Sequence, residues 1–220
     1  LAWFPRTSAN GLHMVYGQQN TNSCGIACVM MVNFKMKKAN LAIAAGGLGA
    51  GIAGLPVIGY NLASAVKVER QVYEAYARVS GKKYDGSQDT SALLLPKVLN
   101  ELGIGTWVAE WIPQAQLADR IKFSVYGRNG APVIALVYWR NSQTGHFVVC
   151  DTVVRSKGAI VADICDPWDT AVRTIPLTSG SPVVYQADTA SGLVDFGQTH
   201  YTASSSTGDM NGWFIHRAGH

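Results

Sequence analysis

A cysteine at the head of an apolar run and a histidine at the start of a second one carry most of the chemistry in this sequence. Cys24 opens Cys-Gly-Ile-Ala-Cys-Val-Met-Met-Val-Asn-Phe, directly after Ser23. A thiol attacks a carbonyl only as the thiolate, and a helix N-terminus beside an imidazolium favours that form. His146 opens His-Phe-Val-Val-Cys and offers the imidazole from a strand, whose backbone can hold the ring against the thiol. Asp166 stands before Pro167 and can orient the ring through its second nitrogen. Asp163 and Asp169 compete with it, but strand alternation turns Asp163 off the Ile164 face, and only Asp166 precedes a proline that fixes its backbone. Gln18 can donate its side-chain amide to an oxyanion, with the Cys24 main-chain amide as partner, and Gly25 leaves room for a substrate carbonyl. The chemistry these types support is acyl transfer through a thioester. The plainer readings are a buried cysteine like Cys28 and a surface histidine at a strand start; Gln18 and Gly25 tip the balance toward a reactive site.

The elements that must position these residues follow from periodicity. Residues 23–34 are apolar on nearly every side and read as a buried helix entered near Ser23, with Lys35, Lys37 and Lys38 at its end. The 3.6-residue pattern of Val68, Val72, Tyr76 and Val79 gives an amphipathic helix over 64–78 that ends before Gly81. Asp89 or Thr90 caps a further helix running to Leu102, and 114–123 forms a shorter one. The period then changes to that of strands at 132–139, 146–154 and 159–164, a meander of three. Segments 172–175 and 183–185 extend the sheet, and 212–216 closes it. Helices first and strands second is the order of an α+β protein with helices segregated from an antiparallel sheet. Residues 1–17 read as an arm leading to Gln18.

Composition narrows the classes. With 220 residues, 48% of them hydrophobic, the chain can bury a core as a single domain over 1–220. Eighteen Lys and Arg against fourteen Asp and Glu leave +4, without a basic run that could track a phosphate backbone, so no nucleic-acid partner is expected. The four cysteines form no CxxC pair, so neither a zinc site nor any other metal or cofactor is expected; Cys150 and Cys165 are read as core residues, with a bridge between them the minority alternative. The charge-poor stretch 40–66 holds six glycines and Pro56, which argues against a spanning helix and for a Gly-rich insertion. Gly49, Gly51 and Gly54 match G-x-G-x-x-G, but Pro56 interrupts the helix a dinucleotide fold needs there. The chain starts at Leu1 without a leader and reads as a processed fragment; from about residue 178 its tail is unassigned. Trp139 and Trp168 are candidates to wall the histidine from water.

The words Gln18-x5-Cys24-Gly25-x-Ala27-Cys28, Pro132-Val-Ile-Ala-Leu-Val-Tyr-Trp139, Gly145-His146-Phe-Val-Val and Asp166-Pro167 stand in the order of a known family. The chain resembles the bacteriocin-processing, double-glycine peptidases and their relatives, a branch of the papain-like cysteine peptidases. The resemblance covers residues 15–38 and 88–175. It implies a papain-like fold, with Cys24 as nucleophile, His146 as general base and acid, Asp166 as its orienting partner and Gln18 at the oxyanion hole. Acyl transfer at such a site takes a protein or peptide substrate and needs no cofactor. The departures are Ser23, where the family often has an acidic residue, and the lack of transporter segments, so substrate is not carried over. A glutamine deamidase or transglutaminase-like toxin uses the same residues. A binding module that engages a membrane through the Gly-rich segment, with an inactive site, is the alternative from another class. Low charge and abundant small residues fit a secreted or exported bacterial protein or effector.

Overall fold

The computed structural model describes residues 3–44, 69–126, 130–140, 144–187 and 207–219. The Gly-rich stretch from residue 45 and the tail over 188–206 lie outside the described residues, and with them the expectations for a membrane-engaging insertion and for G-x-G-x-x-G.

The architecture is α+β with antiparallel strand pairing throughout. β1 (Trp3–Ser8) and β2 (Gly11–Tyr16) form a separate hairpin, where the sequence reads as an arm. Among the described residues four helices follow or interleave: α1 (Cys24–Ala44), α2 (Glu69–Ser80), α3 (Leu95–Glu101) and α4 (Gln114–Val125). The remaining strands are β3 (Trp107–Trp111), β4 (Val133–Trp139), β5 (Gly145–Ser156), β6 (Ala159–Cys165), β7 (Val172–Pro176), β8 (Val184–Gln186) and β9 (Thr207–Arg217). They build one seven-stranded sheet in the order β3-β9-β4-β5-β6-β7, with β8 also paired to β9. β9, far longer than the closing strand expected at 212–216, lies between β3 and β4 and makes the tail part of the sheet.

The physical causes of the boundaries are local. α1 passes the lysines expected to end it, because 39–44 supplies Ala and Leu and meets no glycine until Gly46. α2 stops before Gly81, whose φ of 68° closes the turn at low cost. α3 starts at Leu95 instead of near Thr90: Pro96 sits in its first turn, has no N–H to extend the ladder backwards, and so leaves 89–94 as a turn.

The expected segregation of helices is corrected by α4. Along β4, Ile134 and Leu136 join the core under α1 to α3, whereas Val133, Ala135 and Val137 join a second core under α4. Alternation thus buries both faces, and the strand reads as an unbroken apolar run. Helix α1 has Ile26, Ala27, Cys28, Val29 and Val32 fully buried, as expected of a helix without a polar face. Cys165 belongs to the first core and Cys150 to the second, so the sheet separates them; all four cysteines are free. Among the described residues no helix is long and apolar enough to cross a membrane.

Candidate active site

Three elements bring the sequence-nominated residues to one place. Cys24 is the first residue of α1, His146 the second of β5, and Asp166 follows the last residue of β6. Because β5 and β6 are paired neighbours, His146 and Asp166 emerge at the same end of the sheet, and α1 packs against β5. The His146 Nε2 lies 2.7 Å from Asp166 Oδ1. The Cys24 thiol shares the cleft with the same ring and adds to its affinity for a proton. Asp163 points elsewhere, to Ser8, Asn10 and Thr174, and Asp169 pairs with Arg173.

The pair is buried: His146 is 5% exposed and Asp166 fully enclosed. Burial by itself would push the imidazole pKa down. The Asp166 carboxylate, its hydrogen bond and the thiol overcome that and lift it to about 10, so the ring is an imidazolium at neutral pH. Burial would likewise raise Asp166, but the His146 charge and the donors around the carboxylate hold it below its ordinary value. Those donors are the Trp168 amide on Oδ1 at 2.8 Å and the Tyr185 hydroxyl on Oδ2 at 2.5 Å. Arg173 in turn donates to the Tyr185 oxygen at 3.0 Å and forms an ion pair with Asp169. Trp139 stacks on the His146 ring at 5.7 Å between centroids and closes one side to water; Trp168 lines the cleft.

Gln18 is buried and close in the chain, but it is turned into its own loop. Its Nε2 donates to the carbonyls of Asn20 and Thr21, both at 2.9 Å, its Oε1 has no hydrogen-bond partner among the described residues, and its side chain is absent from the lining of the cleft. Its backbone N–H donates to Pro167 O at 2.9 Å, which ties the segment before Cys24 to the segment holding Asp166. With both side-chain hydrogens spent inside the loop, Gln18 stands here as a positioning residue, while the Cys24 amide belongs to the first helical turn, whose N–H groups find no acceptor within the helix. Gly25 also has a packing use that its place after Cys24 does not announce. A Cβ there would stand 2.2 Å from Thr90 Oγ1, so its bareness admits the 89–93 turn.

Sequence reasoning missed the residues behind the site. Glu69, 5% exposed, accepts from Tyr16 at 2.9 Å and Tyr73 at 2.6 Å, and the Tyr73 oxygen accepts from the Asn20 side chain at 2.7 Å, so a buried carboxylate braces the loop that precedes Cys24. Burial raises its pKa, and these donors partly offset that. Tyr185 and Arg173 were read only as strand residues. No local pattern marks any of the three, because each meets the site from a distant element.

A cleft of about 710 Å³ opens over Cys24 and His146. The other cysteines are fully buried, and burial pushes the thiols of Cys28, Cys150 and Cys165 up. Elsewhere, His13, Asp151 and Cys165 place three metal-ligating atoms within 4.8 Å of one another. These groups are already engaged: His13 Nδ1 bonds Asp151 at 2.7 Å, Lys35 pairs with the other Asp151 oxygen at 2.9 Å, and Cys165 is a buried neutral thiol. The cluster acts as an ion-paired lock between the β1–β2 hairpin, α1 and the sheet. No protein-family model matches the chain, and no curated protein matches it, so function is reasoned from the site itself.

Proposed function

We propose that the chain is a papain-like cysteine hydrolase that cleaves peptide bonds by acyl transfer. The observation that carries this reading is a cysteine at a helix start sharing an open cleft with a histidine whose ring a buried carboxylate holds. Sγ of Cys24 attacks the carbonyl carbon, and the oxyanion that forms is met by the Cys24 amide. As the C–N bond breaks, His146 passes its proton to the leaving amine, which departs and leaves a thioester. Water then attacks the thioester while His146 takes its proton, and the acid departs as the C–S bond breaks, which restores the Cys24 thiolate beside the imidazolium. Asp166 stays ionised throughout and fixes the ring; Gln18 and Glu69 hold the loop that presents the nucleophile. The composition supports a bacterial exported protein or effector as the setting.

The test is mass spectrometry on the wild type and a Cys24→Ala variant, each exposed to a thiol-directed acyl electrophile and to a peptide library at near-neutral pH. Expected is labelling at Cys24 well ahead of Cys28, Cys150 and Cys165, with cleavage that disappears in the variant. Conversion of glutamine to glutamate without cleavage would reassign the chain as a deamidase. Absence of selective labelling at Cys24 would overturn the acyl-transfer reading.

A further inference from the structure

The cleft over Cys24 has a chemical character of its own. One wall comes from the 21–24 loop and the 89–93 turn, the other from the facing ends of β4 and β5. Leu93 on the first wall and Tyr138 on the second are large apolar side chains left 56% and 44% exposed, with half-buried Trp213 also lining the cleft. Apolar groups held open on both sides of a concavity are a surface for apolar side chains of an occupant.

Charge selects among such occupants. His146 and Asp166 neutralise one another, which leaves Asp89 as the remaining carboxylate among the described residues of the lining, and none of those residues is Lys or Arg. Asp89 is exposed and has no cationic partner among the described residues. Its neighbour Thr90 abuts Gly25, the residue after the nucleophile, so the charge sits near the bond to be cut. The whole chain carries +4, and an acidic cleft is therefore not a reflection of overall composition.

We propose that the cleft takes polypeptide segments in which a basic residue stands beside bulky apolar ones and rejects acidic segments, with Asp89 reading the charge. The inference rests on the peptide-hydrolase reading of the same site for its consequence, though not for its test. An exposed ion pair changes affinity by up to about fivefold, so attraction of Lys and repulsion of Glu together give a contrast of about tenfold at low salt.

Fluorescence anisotropy with the Cys24→Ala protein measures binding apart from catalysis. The probes are capped leucine-rich peptides in which Lys, Gln or Glu is walked through successive positions. Expected is a best position where Lys binds about tenfold more tightly than Glu, a contrast that shrinks in high salt and falls within about twofold when Asp89→Asn is added. Equal binding of the three probes at every position, no binding of any, or a preference that persists in Asp89→Asn overturns the inference. Wild-type cleavage of the same peptides separates the two readings. Preferential binding without cleavage fails the hydrolase assignment alone, and cleavage indifferent to charge fails the cleft assignment alone.

Discussion

At the scale of single residues, the site works by setting two buried groups against their own burial. An isolated imidazole in the position of His146 would be neutral, and an isolated carboxylate in that of Asp166 would be protonated; together they ionise each other. Asp166→Asn keeps an acceptor for the ring but removes the charge. The alkaline limit of kcat/KM, set in the wild type by loss of the His146 proton near pH 10, should then move down by about two units or more toward the ordinary imidazole value. The maximum should fall about a hundredfold. A pH–rate profile checks both, and an unmoved alkaline limb would show that His146 takes its proton affinity from elsewhere. Residue-level reading found Cys24, His146 and Asp166 because each is marked locally, by a helix start, a strand start and a following proline. It did not foresee the neighbours of Gln18 and Gly25, the carbonyls of Asn20 and Thr21 for the one and Thr90 for the other.

At the scale of elements, the join between the start of α1 and the turn before α3 shapes the cleft. Gly25 admits this turn at a distance no side chain tolerates: a Cβ would meet Thr90 Oγ1 at 2.2 Å, Thr90 Cβ at 3.0 Å and Leu95 Cδ1 at 3.2 Å. Gly25→Ala should cost about 1 to 3 kcal/mol, read by urea denaturation, because the turn must move away from the helix. Adding Thr90→Ala removes the closest atom, and the hydroxyl it deletes makes no hydrogen bond among the described residues, so the double variant should recover about half of that loss. Strict additivity of the two changes would show that the contact is not what Gly25 serves. Periodicity located all four helices and the β4–β6 meander, since apolar spacing survives whatever the partners are. It overextended α3 because the pattern of Leu93 and Leu94 continues past the point where Pro96 forbids helix. It missed β3, whose Trp-Val-Ala-Glu-Trp gains its strand state by pairing with β9.

At the scale of the whole molecule, stability depends on buried ion pairs that titrate from opposite sides. The His146 pKa is raised in the fold, so its contribution is complete below about pH 6.5 and fades as pH climbs toward 10. Asp166 and Asp151 are depressed, so theirs are present above about pH 4 and fade as pH falls, for Asp151 through about 2. Glu69, raised by burial, works the other way and costs stability as pH rises past the ordinary carboxylate range. The window in which His146, Asp166 and Asp151 all give full support is about pH 4 to 6.5, and Glu69 tilts it toward its acid end. Asp151→Asn breaks the lock with His13 and Lys35 and should lose about 2 kcal/mol at neutral pH, a deficit that narrows as the medium approaches pH 2. Chemical denaturation at several pH values measures it, and a deficit independent of pH would mean that Asp151 acts through shape and not through charge.

The sequence by itself determined the class of the fold, the helix that carries Cys24, the strand that carries His146 and the carboxylate placed to hold the ring. All of these depend on periodicity or on residues adjacent in the chain. Only the tertiary structure decided that Tyr185 and Arg173 support Asp166, that Glu69 braces the loop before Cys24, that Gln18 faces its own backbone, and that Asp89 lines the cleft. Those relations join segments far apart in sequence. Their contacts exist once β9 has been drawn between β3 and β4 and both faces of the sheet have been covered, and no local pattern of residue types encodes which distant side chain arrives there.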